Sequence, residues 1–313
     1  MGRRSIVYAV VFGSLTLSAI ADSTPAGQPM RAIVDANSVL VKAGVVEVAE
    51  YRYGDVPFKP YVERLFTPNG LNVLLDAPHD HLHHHALMFA VGADAVNFWE
   101  EMPAAGRQKH VRFAELAEEL PHVGWMERLD WLDPSGERLL AEQRAIVVAR
   151  PVQPQVTMLM WESRLSVPTG KGSVTLTGAH YFGLGMRFIR AMDAEGQFRN
   201  ADDNPGTVFR GEERLVRSNW CAYTAAVDGD DVTVAMFGHP SNPRHPTTWF
   251  TMTEPFAYLS ATLGLHEEPL KLVEGNRLDL RYAVVLWDRR AQTDEIDETY
   301  RQWASMSAIA SNP

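Results

Sequence analysis

The sequence predicts an all-β protein, a large antiparallel β-sandwich finished by one short C-terminal helix. Its apolar segments are short, rich in β-branched and aromatic residues, and bounded by turn residues. Four turn sequences, Asp133-Pro134-Ser135-Gly136, Val167-Pro168-Thr169-Gly170, Asp228-Gly229-Asp230 and Glu274-Gly275-Asn276, each separate two such segments as hairpin turns do. A parallel sheet would need helices between its strands, and no helical pattern stands there.

Taken in order, strand chemistry covers residues 38–47, 72–75, 87–91, 146–149, 155–165, 173–177, 207–209, 232–237 and 278–286. Residues 113–120 carry too few periodic positions to define the short helix they suggest. The Asp-, Asn- and Gly-rich stretch 191–204 reads as one long loop. From Thr293 to about residue 308 a helix is expected. Thr293, Asp294 and Glu295 suit its N-terminus, and Ile296, Tyr300 and Trp303 recur at helical spacing as a packing stripe.

Arg3 and Arg4 precede an apolar run, residues 6–20, and Ala19-Ile20-Ala21 supplies a small-x-small cleavage pattern. Residues 1–21 are therefore expected to be a signal peptide and the mature protein, 22–313, to be secreted or periplasmic. Removing those 21 residues from 313 leaves 292, a size for one large domain. The formal charge of −10 becomes −12 without the two arginines, which argues against nucleic acid as a partner. No later apolar run is long enough to span a bilayer, so no membrane role is expected of the mature chain. The only cysteine, Cys221, reads as a small buried hydrophobe.

Between Pro78 and Phe89 the chain reads P-H-D-H-L-H-H-H-A-L-M-F, placing five of eleven histidines within seven residues. Imidazole is the commonest protein metal ligand and the side chain best poised for proton transfer near neutrality, so chemistry is expected there. In an extended segment His79, His81, His83 and His85 face one side and His84 the other, and alternate histidines can share one divalent metal ion. A helix would instead pair His81 with His85, but Pro78 and the strand-like residues 86–91 favour an extended or loop segment. No phosphate-binding, dinucleotide-binding or nucleophile-elbow motif offers a rival site, and no nucleotide cofactor is expected. Glu100 and Glu101 follow as acidic companions, Glu100 being the one expected to be merely solvated. A second polar segment runs from Gly238 to Pro246, and its prolines stiffen a loop holding His239, Asn242, Arg244 and His245. Trp99 and Trp249 adjoin the two segments, and indole faces suit the C–H faces of sugar rings.

These segments, together with Lys59-Pro60-Tyr61, Phe66-Thr67-Pro68-Asn69-Gly70, Phe98-Trp99-Glu100-Glu101, Gly106-Arg107 to His110, and Leu263-Gly264-Leu265-His266, resemble the PmoA-like family, often labelled methane oxygenase. The resemblance runs in order over nearly the whole mature chain. It implies a supersandwich of the galactose-mutarotase-like type in a carbohydrate-associated protein. The positions that match family motifs are His81, His83, His84, Glu101, His110, His239, Asn242, His245 and His266. The chain departs from the pattern at His85-Ala86, where Arg-Gly is usual, at Asn97 and at Phe250. The resulting expectation is a glycoside lyase or hydrolase. His81, His84, Glu101 and His110 would be catalytic, Trp99, Asn242, Arg244, His245, Trp249 and His266 would bind a carbohydrate, and His81, His83 and His239 would hold the metal. The rival expectations are a non-catalytic carbohydrate-binding protein and an exported metal-binding or redox-linked protein.

Overall fold

The computed structural model describes residues 29–309 apart from 117–118, 121, 152–153 and 194–195, so the expected signal peptide lies outside the described residues. The described residues form three antiparallel sheets and one α-helix, the all-β class with a short C-terminal helix that the sequence predicts. The largest sheet has eleven strands. From one edge to its middle run Thr207–Arg210, Glu213–Ser218, Thr247–Met252, Tyr258–Thr262, Gly183–Arg187 and Leu87–Ala90. Beyond these lie Tyr61–Leu65, Val46–Arg52, Ser38–Ala43, Met30–Val34 and the short Glu119–Leu120. The eight-stranded sheet runs Gln197–Asn200, Trp220–Val227, Asp230–Gly238, Arg277–Trp287, Thr157–Ser166, Arg138–Ala149, His122–Leu132 and Arg107–Leu116. A four-stranded sheet (Leu270–Val273, Ser173–Thr177, Gly92–Ala93, Val96–Asn97) completes the fold.

The two large sheets face one another across the main core. Trp249, Ala261, Leu184 and Phe89 are neighbours across successive strands of the large sheet, so they share its inner face. Phe89 meets Trp131 of the second sheet edge-on at 6.0 Å between ring centres. The other face of the eight-stranded sheet is covered by the helix Thr293–Ala304. Its Ile296, Tyr300 and Trp303 are buried against Trp220, Phe237, Val285 and Trp287. This is the stripe expected from spacing. The helix stops four residues sooner than predicted, and its cap position is Gln292, which makes no side-chain capping bond.

Two of the four turns make hairpins, Asp133–Gly136 and Asp228–Gly229, the latter with φ +54 and +94 as a primed hairpin turn requires. The segments at 167–170 and 274–276 instead pass the chain between sheets. Residues 113–116 lie in the strand Arg107–Leu116, and the predicted loop 191–204 contains the strand Gln197–Asn200. Pairing with neighbouring strands supplies what local pattern lacks. Residues 72–75 form only isolated bridges. Cys221 is buried at 1 % exposure in the core, and burial pushes its thiol well above the usual range. Ellman's reagent should therefore label it only after denaturation; rapid labelling of the folded protein would contradict this placement.

Candidate functional site

The side chains of Phe250, Met252, Tyr258, Ser260 and Arg187 alternate with the inner-face residues and so occupy the outer face of the large sheet. Gly185 lies among them, and a Cβ there would sit 2.2 Å from the Tyr258 hydroxyl and 2.8 Å from the Trp99 ring. Glycine thus lets Tyr258 and Trp99 lie close upon the sheet. Above this floor is a cleft of about 350 Å³, walled by His81, His83, His84, Glu100, Tyr181, Arg210, Glu213 and Phe256.

The histidine segment is not extended. Two consecutive turns, closed by bonds from the His81 N–H to the Pro78 carbonyl and from the His84 N–H to the His81 carbonyl, fold it back on itself. Alternation therefore fails, and His81, His83 and His84 come together instead. His81 and His84 stack at 4.6 Å, and His83 meets His84 edge-on at 4.5 Å. His84 packs against Tyr258 at 5.0 Å and Phe256 at 5.8 Å, and its buried Nδ1 has no hydrogen-bond partner among the described residues. Burial, with His83, His81 and Arg187 nearby, pulls its pKa down to about 2. Burial also lowers that of His83, against the pull of Glu100, whose Oε2 is 3.5 Å from His83 Nε2. His79 lies apart, at the surface, where its Nδ1 meets Arg190 at 2.8 Å.

Directly behind this wall is a charged network that sequence reasoning missed. His85 Nδ1 is 2.7 Å from Asp76 and Nε2 is 2.9 Å from Glu101. Its ring stacks on Tyr61 at 4.3 Å, and the Tyr61 hydroxyl donates to Asp76 at 3.0 Å. Lys59, with no exposed side-chain surface, donates to Glu101 at 2.7 Å and to the Trp99 carbonyl at 3.0 Å. Burial opposes the His85 imidazolium, but the two carboxylates outweigh it and raise the pKa. Burial lowers that of Lys59 despite Glu101. Lys59 and His85 stand in segments singled out for resemblance, but one charged residue alone gives no sign of its burial.

Several expected site residues are elsewhere. Glu101 is locked between Lys59 and His85, and Glu100, expected to be solvated, lines the cleft. Trp99 is buried beneath the cleft, stacked on Phe182 at 5.0 Å. Trp249 faces the core between sheets and donates to the Ser218 carbonyl. His239 is bonded to Ser241, to the Ala304 carbonyl and to Arg281, and packs on Trp303, so it anchors the C-terminal helix and does not join His81 and His83. Asn242 exchanges bonds with the backbone of Arg281. Arg244 clamps the carbonyls of Leu263 and Glu268. His245, whose carbonyl accepts from Arg217, is not part of the cleft wall. Among the described residues no group of three or more His, Cys, Asp or Glu has the geometry to hold a metal ion. The second polar segment is thus a stiff structural loop, for which prolines are equally apt.

His266 sits near the cleft's rim, 6.0 Å from His180, whose Nε2 is 3.0 Å from Glu213. Glu213 also takes Arg210 at 2.7 Å, so the rim holds a His-Glu-Arg chain. His110 belongs to a different cavity, described below.

A family model described as "Family of unknown function (DUF6807)" matches residues 38–301. This corrects the expected assignment to the PmoA-like family. No curated protein matches the sequence. Among solved structures the chain is similar to the galactosidase domain of an α-galactosidase–sucrose kinase, at 10 % identity and TM-score 0.44, over 85 % of this chain and 41 % of that one. It is likewise similar to the α-galactosidase from Lactobacillus brevis, at 8 % identity and TM-score 0.43, over 83 % and 39 %. A polysaccharide lyase aligns at 10 % identity and TM-score 0.31, over 90 % and 35 %. The chain spans about two fifths of the length of these galactosidases.

Proposed function

The chain belongs to the DUF6807 family, whose description names no reaction, and from the chemistry of the cleft we propose that it is an exported carbohydrate-active enzyme, a glycoside hydrolase or lyase. The observation that carries this reading is the meeting of neutral imidazoles with carboxylates in an aromatic-walled cleft. Its volume is at the lower end of the roughly 300–1,000 Å³ usual for ligand pockets, which suits a sugar of one or two rings. Phe250, Phe256 and Tyr258 offer faces for the C–H side of a ring, while Arg210, Glu213 and His84 offer partners for hydroxyls.

His83 is the base in this reading. Burial keeps it unprotonated at neutral pH, and Glu100 stands where it stabilises the imidazolium formed when His83 takes a proton from substrate. Their 3.5 Å separation leaves a hydrogen bond to tighten when ligand excludes water. His84 stays neutral throughout the physiological range and positions substrate. The test is to incubate the protein with neutral and acidic oligosaccharides and follow new reducing ends and unsaturated products. Glu100→Gln and His83→Ala should each lower kcat by about 10²–10⁴-fold with a smaller change in KM. Sugar binding without turnover would leave a carbohydrate-binding protein, and absence of both would overturn the reading altogether.

A further inference from the structure

A second cavity, of about 580 Å³, opens at the edge of the eight-stranded sheet, lined in part by Tyr53, Arg107, Lys109 and His110. The resemblance to a family motif gave His110 a catalytic role; the structure puts it here. The strand Arg107–Leu116 shifts register against its neighbour, so that His110 opposes Leu129 but Arg112, two residues on, opposes Arg128. Val111 is the extra residue. This bulge turns both His110 and Phe113 inward, where they meet at 4.9 Å, and Tyr53 packs on both at 4.6 and 4.8 Å.

The imidazole is held through one of its two ring nitrogens. Its Nδ1 is 2.6 Å from Glu127, a carboxylate with no exposed surface, which also accepts from the Tyr51 hydroxyl. This bond occupies Nδ1 and leaves Nε2 as the ring nitrogen that can meet a ligand. Nε2 has no partner among the described residues. A fully buried acid that fixes one nitrogen of a partly exposed histidine resembles the support behind a functional imidazole.

The rim supplies the complementary charge. Arg107 and Lys109 line the cavity, and Arg112 and Arg128 lie directly opposite one another farther along the same two strands. All four are exposed, and none has an ion-pair partner among the described residues. Like charges placed opposite each other cost stability, and here they do so in a chain whose net charge is −10. Composition conceals this local excess of positive charge.

We propose that this cavity is a second ligand site, separate from the cleft, for an acidic sugar of the uronate class. The carboxylate binds at Arg107 and Lys109, a ring hydroxyl bonds to His110 Nε2, and the ring's C–H face rests against Tyr53. The experiment is calorimetric titration of the full chain with D-glucuronate and with D-glucose. It is combined with long-range ¹H–¹⁵N spectra of the imidazoles and repeated for Lys109→Ala, Arg107→Ala, His110→Ala and the cleft variant Glu100→Gln. Glucuronate should bind and shift the His110 Nε2 resonance, at least tenfold more tightly than glucose. About tenfold should be lost in Lys109→Ala or Arg107→Ala and little in Glu100→Gln. Lys109 and Arg107 are exposed, so these variants keep their fold. Equal affinity for glucose, undiminished binding in both cation variants, or loss in Glu100→Gln alone would overturn the proposal. So would inorganic sulfate binding as tightly as glucuronate and indifferent to His110→Ala, which would leave only an anion patch.

Discussion

Replacing Arg144 by alanine should cost about 3–5 kcal/mol of unfolding free energy, the usual loss when one partner of a buried ion pair is removed. The guanidinium is fully buried. It donates from Nε and Nη2 to the two oxygens of Glu142, both at 2.9 Å, and from Nη2 to Gln108 at 2.8 Å. Nη1 donates to the Tyr51 hydroxyl at 3.2 Å and to the Pro60 carbonyl at 3.1 Å, and the group lies 4.6 Å from the centre of the Trp161 ring. Tyr51 belongs to the large sheet, while Glu142, Gln108 and Trp161 belong to the smaller one, so Arg144 bonds the two sheets across their core. Without it Glu142 keeps its bonds from Trp131 and Ser163 but has lost its counter-charge in a dry interior.

Urea unfolding of the variant measures the loss, and a change below about 1 kcal/mol would show that water or a neighbouring cation replaces the guanidinium. The double variant Arg144→Met/Glu142→Leu should recover most of the stability, because apolar residues of similar volume remove both desolvation costs together. A double variant as unstable as the single one would mean that the contacts to Tyr51, Pro60 and Gln108, more than the ion pair, hold the sheets.

The sandwich was legible because strand runs and turn residues are local signals. The stripe of Ile296, Tyr300 and Trp303 located the helix for the same reason. The site was legible in one respect: the density of histidines marked one wall of a cleft. Its internal geometry was hidden because the pattern of residues 79–85 fits an extended strand as well as a loop, and only the hydrogen bonds at Pro78 and His81 decide for turns. Arg210, Glu213 and Phe250 reach the same cleft from strands more than a hundred residues away, and only sheet order brings them there. His239, Asn242 and Arg244 show the converse. Polar residues in a stiff loop have the same composition whether they await a ligand or satisfy buried backbone, and here they bind Ala304, Arg281, Leu263 and Glu268. Glu100 and Glu101 are adjacent, and their exchange of expected roles follows from which way each side chain points across Lys59.

Acid should unfold the protein more readily than its carboxylates alone would require, with His84 as the cause. An imidazole whose folded pKa lies below its unfolded value adds nothing to the pH dependence above the unfolded pKa. As pH falls below about 6.5 the unfolded chain takes up a proton that the folded chain refuses, so stability declines until the folded pKa is reached. For His84 that window runs from about 6.5 down to about 2. Between pH 6.5 and 4.5 the linked loss is about 2–3 kcal/mol at 1.36 kcal/mol per pH unit. His83, also depressed by burial, acts in the same direction, while His85, raised by Asp76 and Glu101, opposes it, being most favourable at low pH and losing its contribution as pH rises through its folded pKa. The informative quantity is therefore the difference between the native protein and His84→Leu, measured by urea unfolding at both pH values. Leucine suits the site because the buried Nδ1 has no hydrogen-bond partner among the described residues and the surroundings include the rings of His81, Phe256 and Tyr258. The variant should gain about 2–3 kcal/mol relative to the native protein on going from pH 6.5 to 4.5. An unchanged difference would mean that His84 takes up its proton in the folded state, and that water reaches the ring from the cleft.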